Sequence, residues 1–212
     1  MENNETFLSI HSNQSYSFIV NKSEFIGHAL YVESVDEAEK YISEIRDKYK
    51  DATHNCFAYI IGVDKLIQKY SDDGEPSGTA GIPMLEVLRK KDLTNCLVIS
   101  TRYFGGILLG AGGLVRAYTK STVGALEESI IVKKELFYNI DIILDYVFWG
   151  KIENILKNFG LEIINIEYLE QVKINLSVKK ENFKRLKNII TNETSDNCII
   201  KINGESYSSV FI

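Results

Sequence analysis

The run Cys96–Thr101 is apolar and rich in β-branched residues, and it passes directly into Thr101-Arg102-Tyr103-Phe104-Gly105-Gly106-Ile107-Leu108-Leu109-Gly110-Ala111-Gly112-Gly113-Leu114-Val115-Arg116. Such a run reads as a central strand covered on both faces. The segment after it carries five glycines and two arginines and leads into a helix expected from about Gly113 to Glu127. That helix turns Leu114, Ala117, Tyr118, Ser121 and Ala125 to one side, residues small enough for close packing on a sheet. A strand, a sharp glycine turn and a helix of this kind require a layered α and β structure. Glycine also lets something approach the backbone closely at the turn.

The rest of the chain extends the pattern. Tyr16–Val20 and Glu24–Val32 read as strands joined at Asn21-Lys22-Ser23, and Thr53–Ile61 and Leu66–Tyr70 as a second pair around Gly62-Val63-Asp64. Between the pairs, Ser34 and Glu37 have capping-box spacing, and Ala38, Tyr41, Ile42 and Ile45 form one apolar helix face. Glu75 before Pro76 is pushed toward extended backbone. Pro83 suits the first position of a short helix that buries Met84, Leu85 and Leu88 and ends on Arg89-Lys90-Lys91. Beyond Ile130 the order is strand Glu135–Leu144, helix Val147–Asn158, strands Leu161–Tyr168 and Val172–Val178, helix Glu181–Ile190 and strand Cys198–Ile202. This β-α-β-β-α-β order is that of a ferredoxin-like unit. The expectation is an α+β protein of two domains, residues 1–133 and 134–212.

Composition narrows the classes. With 45% apolar and 25% charged residues, the 212-residue chain can bury ordinary cores. No apolar run approaches the roughly 18–20 residues of a membrane span, and Met1–Glu5 lacks the pattern of a secretory signal. A net charge of −5 argues against coating nucleic acid by bulk electrostatics, so any RNA contact must come from a local patch. Cys56, Cys96 and Cys198 are odd in number and far apart, which reads as free thiols in a reducing cytoplasm.

The chemistry concentrates in two stretches. Gly110, Gly112 and Gly113 at a helix start direct amides outward, where the dipole favours an anion, with Arg102 and Arg116 as countercharges. The same glycines could instead only permit tight packing. The order is neither a dinucleotide fingerprint nor a P-loop. The second stretch, Tyr70 to Gly81, holds Ser71, Asp72, Asp73, Glu75, Ser77 and Thr79. Its carboxylates could hold a hard cation, bond loop amides or pair with Arg102. His54 and Cys56 share a strand face. A buried thiol beside a hydrogen-bonded histidine is favoured there over a nucleophile. Lys180, Lys184 and Lys187 line a helix face opposite Phe183, Leu186 and Ile190, a solvated face or a grip on phosphates.

Asp51-Ala52-Thr53-His54-Asn55-Cys56, Ser71 through Gly81, and Thr101 through Gly106 with Arg116-Ala117-Tyr118 together resemble the YigZ/IMPACT family. The resemblance runs on through Asp145-Tyr146 and Gly150-Lys151-Ile152-Glu153-Asn154. It implies an N-terminal domain in the fold named for the second domain of small-subunit ribosomal protein five, shared with domain IV of elongation factor G. It implies a C-terminal ferredoxin-like domain resembling domain V of that factor. Eukaryotic members act in translational control, and their partner-binding domain has no counterpart in this chain. The expectation is a non-enzymatic cytoplasmic translation regulator without cofactor or metal, which binds RNA or the ribosome. Arg102 and Arg116 would contact anionic oxygen, Gly105, Gly106, Gly110, Gly112 and Gly113 would shape the approach, and Asp72, Asp73, Glu75 and Thr79 would line the opposite side. The alternatives are an enzyme acting on a phosphorylated small molecule and an adaptor that docks a protein partner.

Overall fold

A computed structural model describes residues 6–212, and the polar segment Met1–Glu5 lies outside the described residues. The chain forms two compact units, one running to Lys134 and including Ser209–Ile212, the other Glu135–Ser208.

The first unit contains β1 (Thr6–Ile10), β2 (Gln14–Val20), β3 (Ser23–Tyr31), α1 (Val35–Lys48), β4 (His54–Ile61), β5 (Ile67–Ser71), α2 (Gly81–Lys90), β6 (Cys96–Tyr103) and α3 (Gly110–Glu128). Its sheet runs β2-β3-β6-β4-β5 with every pairing antiparallel, so the apolar strand β6 is central. Alternation along the strands divides the core in two. Phe57, Tyr59, Ile61, Leu97 and Ile99 pack on Ala38 and Ile42 of α1. Cys56, Ala58, Ile60, Cys96 and Val98 face Met84 and Leu88 of α2 and Leu114, Ala117 and Tyr118 of α3. The α1 cap forms as its spacing requires: Ser34 Oγ accepts from the Glu37 amide, and the Glu37 carboxylate accepts from the Glu33 amide.

In this unit β1, α2 and α3 depart most from expectation. β1 carries no strong pattern but is fastened by a bond from the Thr94 amide to the Leu8 carbonyl, with Ile10 in the core. α2 opens at Gly81, two residues before Pro83, because Asp72 caps it from a distance: one carboxylate oxygen accepts from the Ala80 and Gly81 amides and the other from Gly78. Pro83 still falls among the first three residues, before the first intrahelical bond from the Met84 amide to the Ala80 carbonyl. α3 reaches back to Gly110 because burial of Leu114, Ala117 and Tyr118 outweighs a propensity cost of about 1 kcal/mol per glycine.

The second unit contains most of β7 (Ile131–Leu144), then α4 (Tyr146–Asn158), β8 (Ile163–Tyr168), β9 (Val172–Lys179), α5 (Lys180–Glu193) and most of β10 (Cys198–Phe211). Its strands lie in the order β8-β9-β7-β10, the ferredoxin-like arrangement. Ile140, Ile142, Ile174 and Leu176 pack with Ile152 and Leu156 of α4 and Leu186 and Ile190 of α5. β10 runs far past Ile202 because its partner β7 is also 14 residues long and offers backbone groups along its length.

Candidate functional site

Antiparallel register sets a row of side chains across the α3 face of the first sheet. Arg102 of β6 stands opposite Phe25 of β3 on one side and His54 of β4 on the other. The guanidinium lies 5.4 Å from the centroid of the Phe25 ring and 5.4 Å from that of Phe104. Glu75 comes in from the loop after β5, and its Oε1 accepts from Arg102 Nη1 at 2.6 Å and from the Tyr118 hydroxyl of α3 at 2.7 Å. His54 Nε2 stands 3.8 Å from the same oxygen. Its Nδ1 is 2.8 Å from the Asp73 carbonyl, an acceptor, so Nδ1 carries the proton. Arg102 is 4% exposed and Glu75 8%. Arg102 Nε is buried without a partner.

This ion pair forms the floor of a pocket of about 340 Å³. Thr53, His54, Gly74 and Pro76 continue the floor, and Phe104, Leu108, Leu109, Gly110, Ala111 and Leu114 form the wall above it. Phe104, Ile107 and Leu108 are exposed apolar residues on the loop between β6 and α3. Phe104 is held by its amide, which donates to Thr53 Oγ. The wall ends at the start of α3. That helix has no side-chain cap and no acidic residue in its first turn, so the positive end of its dipole stands uncompensated. Gly110 turns into it with φ +66°. Arg116 is exposed and folds back along the helix, its Nη1 3.6 Å from where a Cβ would sit on Gly112. A full positive charge therefore lies beside the first turn of α3.

The expected site residues part company here. Glu75, Arg102 and Gly110 line the pocket, whereas Arg116 stands beside Gly112 in the first turn of α3 and lines a separate hollow on the helix. Arg102 is not offered to a ligand as a free cation, because Glu75 and Ser23 Oγ occupy its Nη atoms. Asp72 is spent on the α2 amides. The Asp73 carboxylate accepts from Arg46 and from the Asn55 amide, and the Thr79 hydroxyl donates to the Pro76 carbonyl. These three residues brace the loop rather than line an opposite wall: both carboxylates face protein donors and the Thr79 hydroxyl faces a protein acceptor. Among the described residues no group of three His, Cys, Asp or Glu is placed to hold a metal. Gly105 serves packing: a Cβ there would lie 2.0 Å from the Lys22 carbonyl. Gly106, at φ +81°, turns the loop, and Gly113 lies against Leu109.

The sequence favours a structural role for His54 and does not mark Phe104, Leu108, Leu109 or Tyr118 as site residues. An apolar cluster set among glycines, where a solvated loop should be polar, was the available signal for three of them. Cys56, one register step below His54, is fully buried and donates to the Asp72 carbonyl. Burial pushes its thiol up to about 12, so it stays protonated and unreactive. Burial likewise raises the Tyr118 hydroxyl, helped by Cys56 and Glu75 nearby, and it remains a donor. On α5, Leu186 and Ile190 are buried while Lys184 and Lys187 are exposed, as on a solvated helix.

Comparison with known proteins agrees with this architecture. Residues 21–126 match the Impact N-terminal domain, and residues 142–197 match a domain of unknown function, DUF1949. The IMPACT family member YvyE of Bacillus subtilis is 41% identical over 194 residues, covering 90% of this chain and 89% of that one. The IMPACT family member YigZ of Escherichia coli is 35% identical over 151 residues, 70% of this chain and 74% of its own. A solved structure described as a hypothetical protein superposes with a TM-score of 0.63 at 28% identity, over 94% of this chain and 98% of that one.

Proposed function

The chain belongs to the IMPACT family, and from that premise we propose that it is a non-enzymatic cytoplasmic protein that regulates translation by binding RNA, free or on the ribosome. The observation that carries the reading is the start of α3: an uncapped amide end, with the Arg116 guanidinium beside its first turn, opening on an apolar-walled pocket of about 340 Å³. A phosphate accepts from the amides and from Arg116. An unstacked base inserts beside Phe104 and Leu108, with the Glu75–His54 floor as acceptors for its edge. The pocket volume suits one nucleotide. Such a contact is local, which reconciles RNA binding with a net charge of −5. The free cysteines accord with a reducing compartment, and among the described residues no helix is long and apolar enough to cross a membrane.

Co-sedimentation with ribosomes and binding of labelled single-stranded RNA test the reading, both falling steeply as salt rises. The informative variant is Ala111→Glu. Ala111 is exposed in the first turn of α3, so a carboxylate there suits the dipole and leaves folding intact while filling the anion position. RNA affinity should drop at least tenfold with thermal stability equal or higher; unchanged RNA binding refutes the site. The buried polar groups of the floor also favour a second reading, an enzyme for a phosphorylated small molecule. That reading requires turnover of such a compound, beyond thermal stabilisation by it.

A further inference from the structure

A second hollow, of about 270 Å³, lies on the adjacent face of α3, and Leu109 lines both. Its other walls include Phe18, Val20, Gly113, Arg116 and Lys120. Arg116 and Lys120 are four residues apart on one helix face, where like charges repel. Both are exposed, and no carboxylate among the described residues forms an ion pair with either. The only carboxylates on α3 are Glu127 and Glu128, at its far end. The Lys120 ammonium instead rests 4.4 Å from the centroid of the Phe18 ring. Phe18 stacks on Phe25, with centroids 5.4 Å apart and planes within 9°, and Phe25 lies under the Arg102 guanidinium of the pocket floor. Packed rings thus tie the second hollow to the first. The two like charges repel each other weakly, a cost that an anion held between them removes.

We infer that the hollow bounded by Arg116, Lys120 and Phe18 is a second phosphate site, so that the ligand is a single RNA strand presenting consecutive phosphates rather than a mononucleotide. The inference rests on the RNA reading above and names its substrate class. One phosphate sits on the amide end of α3. The next passes over Leu109 to lie between the two cations, with Arg116 shared by both because it spans from Gly112 to the second hollow.

The test uses the full chain and measures affinities for a nucleoside monophosphate and for a 5′-phosphorylated trinucleotide of the same base across a salt series. The trinucleotide should bind at least tenfold tighter, with a log–log salt slope steeper by about 0.7 per added phosphate contact. Lys120→Glu should collapse the ratio of the two affinities to near one and remove that extra slope, with circular dichroism checking the fold. A ratio near one in the unaltered protein, or one that survives Lys120→Glu, overturns the second site while leaving the first standing. Failure of both ligands to bind overturns the RNA reading and this inference with it. If Lys120→Glu does not fold, Lys120→Gln gives the same readout with half the charge change.

Discussion

The buried Glu75–Arg102 pair is where a stability measurement most sharply tests this description. Glu75→Ala removes the carboxylate that accepts from Arg102 and Tyr118 and leaves a guanidinium only 4% exposed. Breaking a buried pair from one side costs about 3–5 kcal/mol, because the remaining charge stays desolvated. The stranded Tyr118 hydroxyl adds to the loss. Taking about 4 kcal/mol and about 3 °C per kcal/mol for a unit of this size, the melting temperature should fall by about 12 °C. Arg102→Ala should be nearly as damaging, which separates it from a surface phosphate contact. The double change Glu75→Leu with Arg102→Met should recover most of the loss, since an apolar pair needs no compensation. Urea unfolding of the four proteins completes the cycle. A loss below about 1 kcal/mol in both single variants would mean that the pair behaves as a solvated one, and the pocket floor would have to be redrawn.

His28 is buried with Nε2 unpartnered, and burial, then Lys48, lowers its pKa from 6.5 to about 4. The unfolded chain takes up this proton below pH 6.5 and the native protein only near 4, so stability falls with pH across that window, by about 2 kcal/mol between pH 6.5 and 5. The urea midpoint of a His28→Phe variant should vary less over the same range, and an equal pH dependence in both proteins would clear His28. Gly105→Ala, whose Cβ would meet the Lys22 carbonyl at 2.0 Å, should cost about 2 kcal/mol or more, whereas Gly112→Ala, with Arg116 at 3.6 Å, should fold normally; thermal melts compare them. In native protein at pH 8, iodoacetamide should modify half-buried Cys198 first and leave Cys56 and Cys96 untouched until unfolding, as mass spectrometry of the digest will show.

Much of the fold is legible in local pattern. The spacing of Ser34 and Glu37 encodes the α1 cap, the apolar run of β6 announces a strand covered on both faces, and the β-α-β-β-α-β order specifies the second unit. The site was legible only in part. The glycines and Arg116 marked the amide end of α3, because a helix start is a local property of the chain. The roles of Asp72, Asp73 and Glu75 were not readable, since three neighbouring carboxylates look alike until their donors are known.

Those donors come from elsewhere in the chain. Asp72 turns to the start of α2, Asp73 to Arg46 and β4, and Glu75 to Arg102 and Tyr118, 27 and 43 residues away. Periodicity and capping act within a few residues, so the string of amino acids carries helices, strands and the open end of α3 directly. Which charge is buried, which is spent on a backbone amide and which is left facing solvent depends on strand register and on packing between distant segments. That is why Arg102 becomes the floor of the pocket and Arg116 an exposed cation on α3, although the chain presents the two as equals.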